Sequence, residues 1–340
     1  MRRCRSKQGG MEGEVFMPIR VPDSLPAQTA LEEEGVLLIT ERAALRQDVR
    51  PLEIALLNLM PEKIKTETQI SRLLGATPLQ ISLTLVTTSS YAPKNTSAEH
   101  MLAFYQPWET VRDRRFDGLI ITGAPIETLP FQDVIYWREL TQIFDWSQSH
   151  IQETFDICWA GQAALQHFYG VPKYKLPEKM FGIFHHHVCG ARDGLLRGFN
   201  DDIAVPVSRH TEIRRTDFPV DAGLSVLLES EEAGICLVRD EAKRQTYMFN
   251  HLEYDTNTLG DEYHRDLAAD ADIALPQDYF PGDDPGAEPI NRWRAHASLL
   301  FCNWINDLYQ STPFDLADIP NISSARGESV KLARHPGGLT

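Results

Sequence analysis

The sequence predicts an α/β fold: a mostly parallel sheet flanked by helices, with a smaller and less regular C-terminal portion. Two observations carry this. From about residue 52, short apolar runs alternate with amphipathic stretches, as strands do when crossover helices return the chain to a parallel sheet. The runs are rich in aliphatic and β-branched residues, and several end on Pro or Gly.

LEIALLNLM (52–60) reads as the first buried strand, ended by Pro61, and the polar run through Thr66 leads into a helix carrying Ile70, Leu73 and Leu74. LQISLTLV (79–86) alternates with the period of a half-buried strand, and a helix is expected near 98–106. GLIITG (118–123) is a third strand closed by Gly-Ala-Pro, followed by helical spacing over 134–148. TFDIC (154–158) is a fourth strand, and the helix over 159–170 ends on a glycine. Beyond it come short strands near 203–207, 224–229 and 245–250 and helices near 256–268 and 292–309, with the loop FPGDDPGAEP (280–289) between those helices.

The chain has 340 residues, and its 33 Lys+Arg against 48 Asp+Glu give a net charge of −15. That balance opposes a general nucleic-acid or membrane-surface binder, because both need a positive field. No apolar run approaches the ~20 residues that cross a bilayer. Residues 1–16 lack the apolar segment of a secretory signal and read as a disordered extension; 17–320 reads as one domain and 321–340 as a mobile tail. Five widely spaced cysteines without a CxxC pair fit a reducing cytoplasm.

Cys158 stands at the junction of a buried strand and a helix. Such a turn exposes the side chain at the carboxyl edge of the sheet, where the helix dipole favours the thiolate. Small Ala160 and Gly161 allow the tight packing that an elbow needs. The other reading of a free cysteine is a core residue. MFNHLEYD (248–255) adds His251 and Glu253, expected on one face at the end of a strand, where a carboxylate can fix the tautomer of an imidazole. Nucleophile, base and orienter would then share one sheet edge.

Cys-Trp-Ala-Gly-Gln together with His-Leu-Glu resembles the class I glutamine amidotransferase-like superfamily, of flavodoxin-like fold. Asp156 stands where its elbow has a first glycine, and the second glycine, Gly161, comes three residues after the cysteine instead of two, in the shape Cys-x-x-Gly-Gln, which speaks against glutaminase chemistry. MPIRVPDSLPA (17–27), NLMPEKIKTETQ (58–69), FDGLIITGAP (116–125), CWAGQAAL (158–165), EKMFGIF (178–184), HLEYD (251–255) and YFPGDDP (279–285) resemble, in this order, the homoserine O-acyltransferases of methionine biosynthesis. The resemblance implies Cys158 as nucleophile, His251 and Glu253 as its partners, and Lys179, Ser208 and Arg265 as substrate contacts. It also implies acyl transfer from an acyl-CoA to L-homoserine through an acyl-cysteine, in a cytoplasmic homodimer with no permanently bound cofactor. His251 is expected to act as base in both halves of the reaction. The backbone N–H of Trp159 and one from Gly123-Ala124 are the expected oxyanion donors.

In this family the residue two after Gly-Ala-Pro sorts the donors, glycine with succinyl and glutamate with acetyl, and here it is Glu127. A carboxylate ~5 Å from the distal carboxylate of succinyl-CoA would repel it by roughly 3 kcal/mol at an effective dielectric of ~20. The expected donor is therefore acetyl-CoA, with the succinyl-specific enzyme as nearest alternative, a cysteine hydrolase or amidotransferase next, and a non-catalytic member of the fold last. Lys63, beside the turn after Pro61, is a candidate contact for the phosphates of CoA. No metal is expected: three consecutive residues, His185-His186-His187, cannot all face one ion, and acidic or cysteine ligands lack a useful spacing. Cys189, Cys236 and Cys302 read as core.

Overall fold

The computed structural model describes residues 19–22, 25–33, 38–40, 50–90, 95–190, 194–269 and 272–322. The expected extension over 1–16 and nearly all of the expected tail lie outside the described residues. Among the described residues twelve strands follow one another as β1 (Ile19–Val21), β2 (Leu38–Thr40), β3 (Leu52–Leu57), β4 (Ile81–Thr87), β5 (Tyr105–Pro107), β6 (Phe116–Ile121), β7 (Ile151–Ile157), β8 (Tyr174–Val188), β9 (Asp202–Glu212), β10 (Leu224–Ser230), β11 (Gly234–Asp240) and β12 (Gln245–Met248). The helices are α1 (Ala27–Glu33), α2 (Lys63–Leu74), α3 (Ala98–Phe104), α4 (Trp108–Val111), α5 (Trp137–His150), α6 (Trp159–Tyr169), α7 (Thr258–Ala268) and α8 (Arg294–Ser311).

All twelve strands belong to one sheet in the order β2-β1-β4-β3-β6-β7-β12-β11-β10-β8-β9, with β5 beside β4. From β2 to β12 every pairing is parallel, and from β12 to β9 every pairing is antiparallel. The fold class is the expected one. The C-terminal portion is not irregular, however: β8 to β11 extend the same sheet as long hairpins.

Each face of the sheet is covered by helices. On one, Ile54, Leu56, Ile120 and Phe155 pack under Ile70 and Leu74 of α2 and Leu300, Phe301, Trp304 and Leu308 of α8. On the other, Leu57, Leu119 and Ile121 pack under Leu140, Ile143 and Phe144 of α5 and Trp159, Ala163 and Leu165 of α6. Full burial of one such aliphatic side chain contributes about 1.5–3 kcal/mol. Gly118 of β6 lets α8 lie close, since a Cβ there would stand 2.9 Å from the Trp304 ring. β6 begins two residues before the apolar run because Asp117, fully buried, is held by both Arg50 guanidinium nitrogens at 3.0 Å and by the Glu53 amide at 2.7 Å. Among the described residues, no helix is long and apolar enough to cross a membrane.

Candidate active site

β7 ends at Ile157 and α6 begins at Trp159, so Cys158 alone makes the turn between them, at φ 54 and ψ −117. A non-glycine residue at such a φ costs about 1–3 kcal/mol and persists only where its surroundings hold it. They do so here. The Cys158 amide donates to Met248 O at 2.6 Å, and the Gln162 amide donates to Cys158 O at 3.3 Å. Gly123 leaves room for the nucleophile, because a Cβ on it would lie 3.1 Å from Cys158 Cβ.

β12 runs parallel to β7 with Met248 opposite Ile157, so the residues following these two strands emerge side by side. His251 and Glu253 do not sit on a strand, as the period-2 reading expected. They lie in a turn after β12, closed by the Tyr254 amide on His251 O at 3.2 Å. The turn is pinned from several sides: the His251 amide donates to Pro206 O of β9 at 2.9 Å, Trp293 Nε1 donates to Tyr254 O at 2.8 Å, and Arg72 of α2 pairs with Asp255.

Within this frame His251 Nδ1 bonds Glu253 Oε1 at 2.7 Å, and the imidazole lies close enough to the Cys158 side chain for the two to interact electrostatically. With Nδ1 occupied by the carboxylate, Nε2 is the nitrogen that meets the thiol. Burial works against the charged ring, but the Glu253 carboxylate and Cys158 outweigh it and hold the His251 pKa well above its ordinary value. The ring stacks on Tyr254, with centroids 4.1 Å apart. Burial, and then the charges of Glu262, Glu253, Cys158 and Glu127, keep the Tyr254 phenol protonated. All four therefore lie close enough to Tyr254 to act on it.

Glu127 is half-buried and turned toward β9, where Thr211 Oγ1 donates to its Oε2 at 3.2 Å. The same hydroxyl lies 2.9 Å from Gln162 Oε1, on the helix that starts at the elbow. Lys173 donates to Glu127 O and, at 2.6 Å, to Leu129 O, so one ammonium clamps the loop. Burial lowers the Lys173 pKa to about 8, against the pull of Glu127. The Trp159 amide is the first N–H of α6 and has no intrahelical acceptor. It lies 3.7 Å from the point where a Gly123 Cβ would stand, which sets the 123–124 loop against the helix start.

Lys179, Ser208 and Arg265 come together around a residue that the sequence reading did not single out. Glu262 Oε1 lies 2.7 Å from Lys179 Nζ, 2.9 Å from Ser208 Oγ and 3.8 Å from Arg265 Nη2. Arg265 itself is largely exposed and bonds Asp266 at 2.6 Å. Glu262 precedes Arg265 by three residues on α7, a spacing that puts both on one helix face. Arg209, beside Ser208, is also new: it is almost fully buried, and its attraction to Cys158, Cys236, Glu212 and Glu127 opposes the burial that lowers its pKa.

Two expectations need correction. Lys63 is not a surface cation: it is 4% exposed, and its ammonium donates to Asn58 O at 2.5 Å and Met60 O at 3.3 Å. Burial lowers its pKa to about 8, with Glu67 opposing. It therefore braces the turn after β3 and does not meet the phosphates of CoA. The expectation that acidic and cysteine groups lack a useful spacing to His185-His186-His187 also needs correction. Cys189 follows His187 by two residues, Glu229 faces His187 from the neighbouring strand β10, and their ligand atoms lie within 4.8 Å of one another. Arg215 already neutralises that carboxylate at 2.8 Å. Of the other cysteines, Cys236 is core as expected, with a pKa pushed up to about 12 by burial, whereas Cys189 and Cys302 are only half-buried.

The profile of the family described as homoserine O-succinyltransferase matches residues 18–314. The chain belongs to this family. Curated homoserine O-acetyltransferases of Brucella canis and Brucella abortus are each 56% identical to it over 306 residues, covering 90% of this chain and 100% of theirs. A glutamine amidotransferase from Thermotoga maritima superposes with a TM-score of 0.51 at 12% identity, covering 76% of this chain and 99% of its own. That likeness shows the fold alone: a class I glutamine amidotransferase-like α/β sheet. This homoserine O-succinyltransferase family member keeps the sheet but not the Gly-x-Cys-x-Gly spacing, since the residue two before Cys158 is a fully buried aspartate.

Proposed function

We propose that this chain is a homoserine O-acetyltransferase, which moves the acetyl group of acetyl-CoA to the hydroxyl of L-homoserine through an acyl-Cys158 intermediate. The carrying observation is an elbow cysteine interacting with a carboxylate-held imidazole, in a chain 56% identical over 90% of its length to curated homoserine O-acetyltransferases.

His251 Nε2 first accepts the proton of the Cys158 thiol, so that the sulfur attacks as a thiolate beside an imidazolium. The Cys158 thiolate attacks the thioester carbonyl, the tetrahedral adduct collapses, and CoA leaves as a thiolate that takes the Nε2 proton of His251. His251 is now neutral and accepts the hydroxyl proton of homoserine as its oxygen attacks the acyl carbonyl. Cys158 departs as thiolate, and the imidazolium is restored beside it. Glu253 holds the ring in the useful tautomer throughout. The amide of Trp159 and one from Gly123-Ala124 are assigned to the oxyanion, where each donor contributes on the order of 3 kcal/mol.

The homoserine carboxylate is assigned to the cations of Lys179 and Arg265, and its ammonium to Glu262, with Ser208 bridging the two. Glu127 selects the acyl group by repelling a second carboxylate. The test is CoA release with homoserine and either donor. Acetyl-CoA is expected to be favoured by about two powers of ten, and Glu127→Gly to narrow that to less than about tenfold. A preference for succinyl-CoA, or a variant with unchanged preference, would sink the assignment of the donor.

A further inference from the structure

Past the ends of β3 and β6 lies a cavity of about 240 Å³, lined by Leu59 and Pro61 after β3, by Ala124, Pro125 and Ile126 after β6, and by Leu129 and residues 133–136. We propose that this cavity takes the pantetheine arm of the acyl-CoA donor. The assignment rests on the transferase reading above and adds to it the path by which the thioester reaches Cys158.

Position comes first. In the sheet, β3 and β6 lie on one side of β7 and β12 lies on the other, so the cavity and His251 flank Cys158 from opposite sides. Adjacent residues of one loop reach both: Ala124 lines the cavity, while Gly123 packs against Cys158 Cβ. A thioester at the elbow, with its acyl end toward Glu127 and β9, would send its thiol substituent toward this side.

Chemistry comes second. The flank beyond His251 holds Lys179, Glu262, Arg265 and Asp266, groups suited to an amino acid. The cavity is lined by apolar side chains and a single carboxylate, Asp133. It has no side-chain cation for a phosphate, and Lys173, which reaches the neighbouring carbonyls of Glu127 and Leu129, is spent on them. A neutral chain of alkyl and amide units fits such walls, with Asp133 able to accept an amide N–H. The volume is below the ~300–1,000 Å³ typical of a whole small-molecule site, so it accommodates an arm and leaves the nucleotide outside.

Exposure comes third. Leu129 is 44% and Ile135 74% exposed, two large apolar side chains at the rim of one cavity. Exposed apolar surface gathered at a concave site marks a place where something apolar is covered.

The experiment uses Leu129→Asp and Ile135→Asp, both at exposed positions that the fold tolerates, and compares acetyl-CoA with S-acetyl-N-acetylcysteamine, a thioester lacking the pantothenate and nucleotide. Each variant is expected to raise the KM for acetyl-CoA about tenfold or more, and to leave kcat/KM for the truncated donor within about twofold of the parent. Free pantetheine should inhibit the parent competitively against acetyl-CoA and lose potency in the variants. Unchanged KM for acetyl-CoA, or equal losses with both donors, would overturn the assignment of the cavity. Failure of the parent to acetylate homoserine from either donor would instead overturn the transferase reading, and this inference with it.

Discussion

The two sides of Cys158 are built from opposite materials. Toward β3 and β6, the parallel half of the sheet offers loops with Leu59, Pro61, Ala124 and Ile126 around an apolar cavity. Toward β8, β9 and α7, the antiparallel half offers Lys179, Ser208 and Glu262 in mutual contact, with Arg265 and Asp266 close by. Between them stands β12, parallel to β7 and antiparallel to β11, from whose end the His251–Glu253 pair is delivered. The difference teaches how one nucleophile serves two unlike substrates. In the proposed reaction a neutral thioester arm and a zwitterionic amino acid would each meet matching walls, and Cys158 and the imidazole of His251 act on both.

The largest expected effect comes from breaking the seam itself. His251→Asn should lower kcat by about 10³–10⁴-fold, because it removes both the acid for CoA and the base for homoserine. Glu253→Gln keeps the hydrogen bond but not the charge that holds the imidazolium, and a loss of about 10²–10³-fold in kcat is expected with little change in either KM. Steady-state kinetics with both substrates varied measure each.

Next come variants that separate the two sides. Glu262→Gln, on the charged side, should raise the KM for homoserine about tenfold while the KM for acetyl-CoA stays within about twofold of the parent. Equal changes in both would mean that the sides are not separate. Lys173→Met loosens the loop carrying Glu127; the acetyl-to-succinyl ratio of kcat/KM should fall about threefold to tenfold, and Lys173→Arg should restore most of it.

The smallest effect on catalysis belongs to neither side. Asp156 is fully buried in β7, neither carboxyl oxygen has a hydrogen-bond partner among the described residues, and burial pushes its pKa well above the ordinary value. The folded state therefore keeps a proton that the unfolded chain loses near pH 4, and stability falls as pH rises from there toward the raised folded value. Asn cannot make that transition. Asp156→Asn should raise Tm by about 2–3 °C at pH 7 and by nothing near pH 3.5, with kcat changed less than about threefold. Thermal scans at the two pH values decide it.

How much of this was legible follows the same division. In the parallel half β3 and β6 carry apolar runs closed by Pro61 and by Gly123-Ala124-Pro125, β4 alternates with a period of two, and Cys158 falls where strand spacing gives way to helix spacing. These are local patterns. β8 was missed because it carries Glu178, Lys179 and three histidines with no steady alternation: it pairs with β9 on one side and β10 on the other, and its register slips between Lys175 and Met180. β11 has only a short apolar run after the turn that follows Glu231-Glu232. Glu262 looks like any solvated helix carboxylate until β8 and β9 bring Lys179 and Ser208 to it. Lys63 misled in the other direction, since a lysine after Pro61 reads as exposed unless the carbonyls of Asn58 and Met60 are known to close over it.

The central claim is that Cys158 carries the acyl group between the two sides. Intact-mass analysis of the protein after brief exposure to acetyl-CoA alone tests it most directly. A single acetyl group on Cys158, discharged by homoserine as O-acetylhomoserine and absent from Cys158→Ala, is the predicted result. Full turnover by Cys158→Ala, or an adduct that homoserine leaves in place, would contradict it.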